Sequence, residues 1–277
     1  MSQKLILSIL NPDFNPNVTP WNVSPFTTEP DTTANIPETG EWLASDPKNG
    51  DAGCAHFIIQ SVNANLDGGY ASQNWGFDQY SIQNKPGLGI PLQNLGTNTY
   101  IIKQKIYPIL LTFGVPGMFI HIGWDFSIRW LDPRSYIPIN VGPYNASGLE
   151  LMIHVRAIGV FSDLIGTTSF GNPKGTGNPY DVYFCSYVID QQQLTQTYDT
   201  SFDISTVILS ALNGPDGTWN LPYTNGYITG AMFGTELGGG AKAELYVDYA
   251  DLIFTDGWLA TGPTILGGGY GGKYPKR

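Results

Sequence analysis

Through the middle of the chain, short runs rich in Val, Ile, Thr, Tyr and Phe alternate with Gly, Pro and Asn at intervals of roughly ten residues, which is the pattern of a β-sandwich or barrel. The clearest runs are 100–107, 118–130, 149–159, 180–189, 226–236 and 241–254. One segment has another period. From Asp203 the apolar residues Ile204, Val207, Ile208, Ala211 and Leu212 recur at helical spacing, with Asp203 placed to cap the start and Gly214 just past the end. The chain therefore reads as all-β with a single amphipathic helix and no internal repeat.

Strand alternation sorts side chains onto faces. In 148–156, Leu149, Leu151, Ile153 and Val155 share one face, and Glu150, Met152, His154 and Arg156 the other. In 226–236, Ile228, Gly230, Met232, Gly234 and Glu236 fall together, and the glycines leave room for a close approach. In 124–130, Trp124, Phe126, Ile128 and Trp130 are opposite to Asp125, so a cleft-facing Asp125 makes both tryptophans core residues.

The ends differ from the body. Residues 11 to about 38 are dense in Pro, Thr, Asn and Asp, as a linker or loose arm would be. The stretch from Gly267 to Lys273 resembles a phosphate loop only superficially, because no Ser/Thr follows the Lys and no helix follows the glycines. This divides the chain into an N-terminal arm (1–40), one folded domain (41–258) and a Gly-rich tail (259–277). Asn17, Asn22 and Asn145 each head a glycosylation sequence.

Composition narrows the function. The chain has 277 residues, 42% of them hydrophobic and 13% aromatic, which suffices for a sizeable core. Only 13% are charged, and 13 Lys+Arg against 23 Asp+Glu leave a net charge of −10. Such a surface repels phosphate backbones and anionic lipid, so neither nucleic acid nor membrane is an expected partner. No run reaches the length of a membrane span, and residues 5–10 are short for a signal sequence. Cys54 and Cys185 are too few and too distant for a zinc or redox motif, and either pair with each other or stay as buried thiols. His56, His121 and His154 lack metal-ligand spacing, and no metal or cofactor is expected.

Six glutamates occur; Glu29, Glu38 and Glu41 lie in or beside the N-terminal arm, which leaves Glu150, Glu236 and Glu244 in the rest of the domain. A glutamate in so apolar a strand is either solvated or in a cleft. Two of them facing one groove are what glycoside hydrolysis requires: one carboxyl protonated to release the leaving oxygen, the other ionised to attack the anomeric carbon.

Here the residues resemble a known family. Glu150-Leu-Met-Ile-His154, followed by Gly159 and Ile165-Gly166, resembles the nucleophile strand of the family-12 glycoside hydrolases, and Phe233-Gly-Thr-Glu236 resembles the strand that carries their acid/base. Trp124-Asp125-Phe126, the run 180–187, the helix and the terminal strands follow in that family's order, over roughly residues 50 to 256. The resemblance implies a jelly roll of two curved antiparallel sheets, with the helix packed on the convex side and a cleft for a β-1,4-glucan. It also implies retaining endo-hydrolysis of cellulose or a related glucan, with Glu150 as nucleophile, Glu236 as acid/base and Asp125 in contact with the nucleophile. Retention requires carboxyl groups ~5–5.5 Å apart, whereas inversion requires ~6.5 Å or more.

The family usually has Trp where this chain has His154, which either touches the substrate or is structural. Trp75 is a candidate for the family's Asn-x-Trp contact through Asn74-Trp75-Gly76, with Asn63-Ala-Asn65 a second candidate. Met152 and Met232 either line the central subsites or fill core gaps. The implied partner is a polysaccharide bound by a secreted monomer, because a polymer does not cross a membrane. The alternatives are a non-catalytic carbohydrate-binding jelly roll, which needs the aromatics but not both glutamates, and a structural jelly roll with an assembly interface.

Overall fold

The structure is a computed structural model describing residues 4–8, 22–27, 39–45, 52–60, 66–72, 90–95, 99–112, 120–135, 137–157, 166, 168–173, 182–192, 196–238 and 242–256. Its elements are β1 (Lys4–Ser8), β2 (Asn22–Thr27), β3 (Thr39–Ser45), β4 (Ala52–Gln60), β5 (Leu66–Ser72), β6 (Ile90–Pro91), β7 (Thr99–Thr112), β8 (Ile120–Trp130), β9 (Gly148–Ala157), β10 (Thr168–Gly171), β11 (Val182–Gln192), β12 (Tyr198–Asp203), α1 (Ser205–Asn213), β13 (Gly226–Gly238) and β14 (Lys242–Asp256).

Two sheets are present, as the alternating pattern predicts. The six-stranded sheet runs β12-β7-β14-β4-β3, with β1 also on β14, and the eight-stranded sheet runs β10-β11-β9-β8-β13-β5-β2, with β6 also on β13. All pairs are antiparallel except β9 with β11, which is parallel.

The N-terminal segment is not a loose arm over its whole length. Within it β1 pairs with Ile253–Asp256, β2 pairs with β5, and β3, which straddles the expected boundary at residue 40, pairs with β4. Dense Pro, Thr and Asn hid β2, since depleted hydrophobic runs carry little periodic signal, whereas the short apolar run of β1 was read only against the length of a signal sequence. The tail beyond Asp256 lies outside the described residues.

One core joins both sheets and the helix. Ile102, Ile106 and Leu245 of the first sheet, Trp124, Phe126 and Leu151 of the second, and Val207, Ile208, Ala211 and Leu212 of α1 belong to a single buried cluster. Trp124 stacks on Phe126 at 6.3 Å and meets Phe233 edge-on at 5.2 Å, offset arrangements that favour ring pairs beyond their area burial. A second aromatic group lies nearby: Trp219 contacts Phe170 at 5.1 Å and Tyr183 at 4.9 Å, and its indole N–H donates to Asn172 Oδ1. Each polar atom so engaged avoids the penalty of an unpaired buried group.

The helix starts at Ser205, two residues after the predicted cap. Asp203 still serves that end, its Oδ1 accepting from Ser205 N–H at 2.9 Å and from the Ser205 hydroxyl at 2.6 Å. Gly214 closes the helix at φ +73°, ψ −171°, a conformation suited to glycine, and its N–H donates to Ser210 O. A Cβ there would lie 2.3 Å from Trp219 Cγ.

Cys54 and Cys185 are both buried, one in each sheet, and no disulfide joins them, so of the two alternatives left open by the sequence they are buried thiols. No described helix is long and apolar enough to cross a membrane.

Candidate functional site

The candidate site lies on the face of the eight-stranded sheet turned away from the core. In β8, Ile122, Trp124, Phe126, Ile128 and Trp130 are at most 1% exposed and fill the core. Alternation therefore turns Asp125, Ser127 and Arg129 outward. In β9, Leu149, Leu151 and Ile153 are fully buried, and Glu150 faces the other way. In β11, Tyr183 and Cys185 are fully buried and Phe184 is turned outward, 36% exposed.

Paired residues of neighbouring strands share a face, so the register writes the site in rows. One row runs Gly230, Ser127, Glu150, Phe184, Gly171 across β13, β8, β9, β11 and β10. The next runs Met232, Asp125, Met152, Ser186, Ser169. Two positions further along each strand are Gly234, Gly123, His154 and Val188, and then Glu236, His121 and Arg156.

Glu150 is held from two sides. Its Oε2 accepts from the Ser127 hydroxyl at 2.8 Å, and its Oε1 accepts a charge-assisted hydrogen bond from Arg129 Nη2. Arg129 is itself fixed, with Nη1 donating to Ile128 O at 2.9 Å. Its side chain occupies the space over Gly148, where a Cβ would lie 2.6 Å from Nη1. Gly148 thus makes room for the guanidinium, and the guanidinium orients the glutamate two residues later. The pair is partly shielded, with Arg129 30% and Glu150 21% exposed.

Asp125 is half-buried on the same face, one row from Glu150. Diagonal neighbours of this kind have Cα atoms ~7–8 Å apart. Trp124 and Trp130 are core residues, the consequence expected of an outward Asp125; the Trp130 indole donates to Pro222 O at 2.7 Å. Met152 and His154 share this face but are only 7% and 4% exposed, so neither presents an open surface in this structure.

The register does not bring Glu236 beside Glu150. Glu150 pairs with Ser127, and Ser127 with Gly230, whereas Glu236 pairs with His121, six β8 positions away. At ~3.3 Å per residue and ~4.8 Å per strand, this puts the two Cα atoms about 22 Å apart, beyond the reach of two extended glutamate side chains and outside both the retaining and inverting windows. The two strands both neighbour β8, but the two residues stand in different rows. The side chains of Glu236 and Met232 lie outside the described residues, and so does Trp75 altogether.

A β-bulge between Ile228 and Gly230 also corrects the face assignment in β13. The extra residue turns Ile228 into the core, where it is fully buried, while Gly230 stays in register with the outward Ser127. Three neighbours of Glu150 were missed in the sequence. Alternation from Asp125 would have placed Ser127 and Arg129 on its face. Phe184 carries no such signal, because an aromatic in an apolar strand reads as core whichever way it points.

No protein-family model matches the chain, and no curated protein matches it. Among solved structures, the Trichoderma harzianum endoglucanase 3 from family GH12 is similar at 13% identity, covering 84% of this chain and 96% of that one with a TM-score of 0.39. The wild-type ENZbleach xylanase is similar at 11% identity, covering 88% and 92% with a TM-score of 0.40. The family 11 xylanase from Neocallimastix patriciarum is similar at 10% identity, covering 85% and 96% with a TM-score of 0.32.

Proposed function

We propose that the chain is an extracellular glycoside hydrolase acting on a β-1,4-linked glucan, with Glu150 as the attacking carboxylate. The observation that carries this reading is Glu150 itself: a partly shielded carboxylate on the outward face of an otherwise apolar strand, oriented by Arg129 and Ser127, with a second carboxyl, Asp125, one row away. In the proposed reaction Glu150 forms a glycosyl-enzyme as the glycosidic bond breaks. A protonated carboxyl gives its proton to the leaving oxygen, then takes one from the water that releases the sugar.

Asp125 is the carboxyl within diagonal reach of Glu150, and we assign it the acid/base role. The resemblance assigns that role to Glu236, which would require β13 to stand about six residues further along β8 than it does here. The low overall charge suits a neutral, hydroxyl-rich ligand, as does an outward aromatic beside the carboxylate.

A second reading, non-catalytic carbohydrate binding, is favoured by one observation. The β13 residue in the row of Glu150 is Gly230, so that strand offers no carboxyl directly opposite.

Reducing-sugar release from carboxymethyl cellulose and barley β-glucan, measured for wild type and for Glu150→Gln, Asp125→Asn and Glu236→Gln, decides among these. Loss of at least a hundredfold in Glu150→Gln and Asp125→Asn, with Glu236→Gln near wild type, is the expected result. Equal loss in Glu150→Gln and Glu236→Gln would replace Asp125 by Glu236 and overturn the β13 register. A wild type that binds glucan without cleaving it supports the binding reading.

A further inference from the structure

Phe184 has no part in the chemistry above, yet it is among the few large apolar side chains left open to solvent. Its neighbours Tyr183 and Cys185 are fully buried, so the strand has spent its alternate positions on the core and presents this ring outward. Among the described residues it makes no ring contact. On one side lies Glu150, in the same row of the sheet, and on the other Gly171, whose missing side chain leaves the ring's flank uncovered. A Cβ at Gly171 would lie 3.3 Å from Phe184 Cβ, so any larger residue there would press on the ring. In the adjacent row, Ser186 and the exposed Ser169 bring two hydroxyls to the same corner.

An apolar ring face flanked by small hydroxyls matches a pyranose, which presents axial C–H groups on its face and hydroxyls around its rim. We propose that Phe184 is the floor of a hexose-binding subsite adjoining Glu150, with Ser186 and Ser169 hydrogen-bonding the sugar's rim. A glucan bound there crosses the strands along the row, passing from the reacting sugar over β9 to a stacked sugar over β11 and leaving the sheet at the short edge strand β10. Neighbouring strands ~4.8 Å apart make each step about one strand wide. This subsite rests on the glycan reading of the face but not on catalysis.

The test uses the Glu150→Gln protein, so that binding is measured without turnover. Calorimetric titration with cellohexaose compares this parent with Phe184→Ala, Phe184→Trp and Ser186→Ala added to it, with circular dichroism confirming that each is folded. A stacked ring contributes a factor of about three to ten in affinity. Phe184→Ala is therefore expected to weaken binding by about that factor, Phe184→Trp to bind as well as the parent or better, and Ser186→Ala to lose about threefold. A parent that binds, with Phe184→Ala within a factor of about 1.5 of it, removes the subsite and leaves the glycan reading intact. A parent that binds neither cellohexaose nor barley β-glucan overturns both.

Discussion

Replacing Arg129 by Met tests the arrangement of the site without reference to turnover. Methionine retains most of the stem that packs over Gly148 and removes the guanidinium that donates to Glu150. Among the described residues the carboxylate then keeps the Ser127 hydroxyl as its one donor. Breaking a fully buried ion pair costs ~3–5 kcal/mol, while an exposed pair contributes under ~1 kcal/mol. With Arg129 30% and Glu150 21% exposed, the pair belongs between these limits, and Arg129→Met is expected to lose about 2 kcal/mol of stability. Glu150→Gln keeps one acceptor oxygen for Arg129, turns an amide N–H towards the Ser127 hydroxyl, which accepts it, and removes the charge, so its loss is about 1 kcal/mol. In the double variant the orphaned charge is gone, so the combined loss falls short of the sum by about 1 kcal/mol, the coupling energy of a double-mutant cycle. Urea unfolding of the four proteins with a shared slope measures it. Additivity to within ~0.3 kcal/mol would mean that the pair is not formed in solution and that Glu150 is not oriented as described.

Three further outcomes follow from the packing. Gly214→Ala combines a positive φ with a Cβ 2.3 Å from Trp219 Cγ, so it should lose about 3 kcal/mol and shift the tryptophan emission; a loss below ~1 kcal/mol in urea would refute the close approach. Gln104 is fully buried, and among the described residues neither its Nε2 nor its Oε1 has a hydrogen-bond partner. Gln104→Leu should therefore gain about 1 kcal/mol, and an equal loss would show that the amide is satisfied. Burial pushes the Cys185 thiol up to about 12, against ~8.5 in an unfolded chain. The unfolded state thus releases this proton first: the contribution is full below about pH 8.5 and declines as pH rises towards the folded value, by at most ~1.4 kcal/mol per pH unit. Tyr198, also pushed up to about 12 by burial, joins above about pH 10. Urea midpoints measured from about pH 8 to 10.5 should fall, and Cys185→Ala should flatten the limb between about pH 8.5 and 10; a flat wild-type profile contradicts the burial.

Much of the architecture was legible because it is written in alternation. β8, β9 and β13 begin and end within about two residues of the runs read from sequence, and the helix face of Val207, Ile208, Ala211 and Leu212 is the one it buries. That Asp125 points to the opposite face from Trp124 and Trp130 followed from parity, while the choice of which face is outward did not. What escaped was whatever parity does not encode. The bulge at Ile228 breaks alternation through one extra residue that no local sequence signal marks, and the offset between Glu150 and Glu236 is a property of strand pairing, not of either strand. A motif shows that two strands carry the right residues; only register shows whether those residues meet. The N-terminal strands were hidden for a different reason, since their partners in β4, β5 and β14 supply a hydrogen-bonding edge that the composition of residues 4–45 does not reveal.

The central claim is that Glu150 is the attacking carboxylate, and covalent trapping tests it most directly. An activated 2-deoxy-2-fluoro-cellobioside slows release of the glycosyl-enzyme, so the adduct accumulates and its position can be read by intact mass and peptide mapping. The account predicts a single adduct on the peptide that contains Glu150, lost in Glu150→Gln. An adduct on any other residue, or glucan hydrolysis that persists in Glu150→Gln without an adduct, would contradict it.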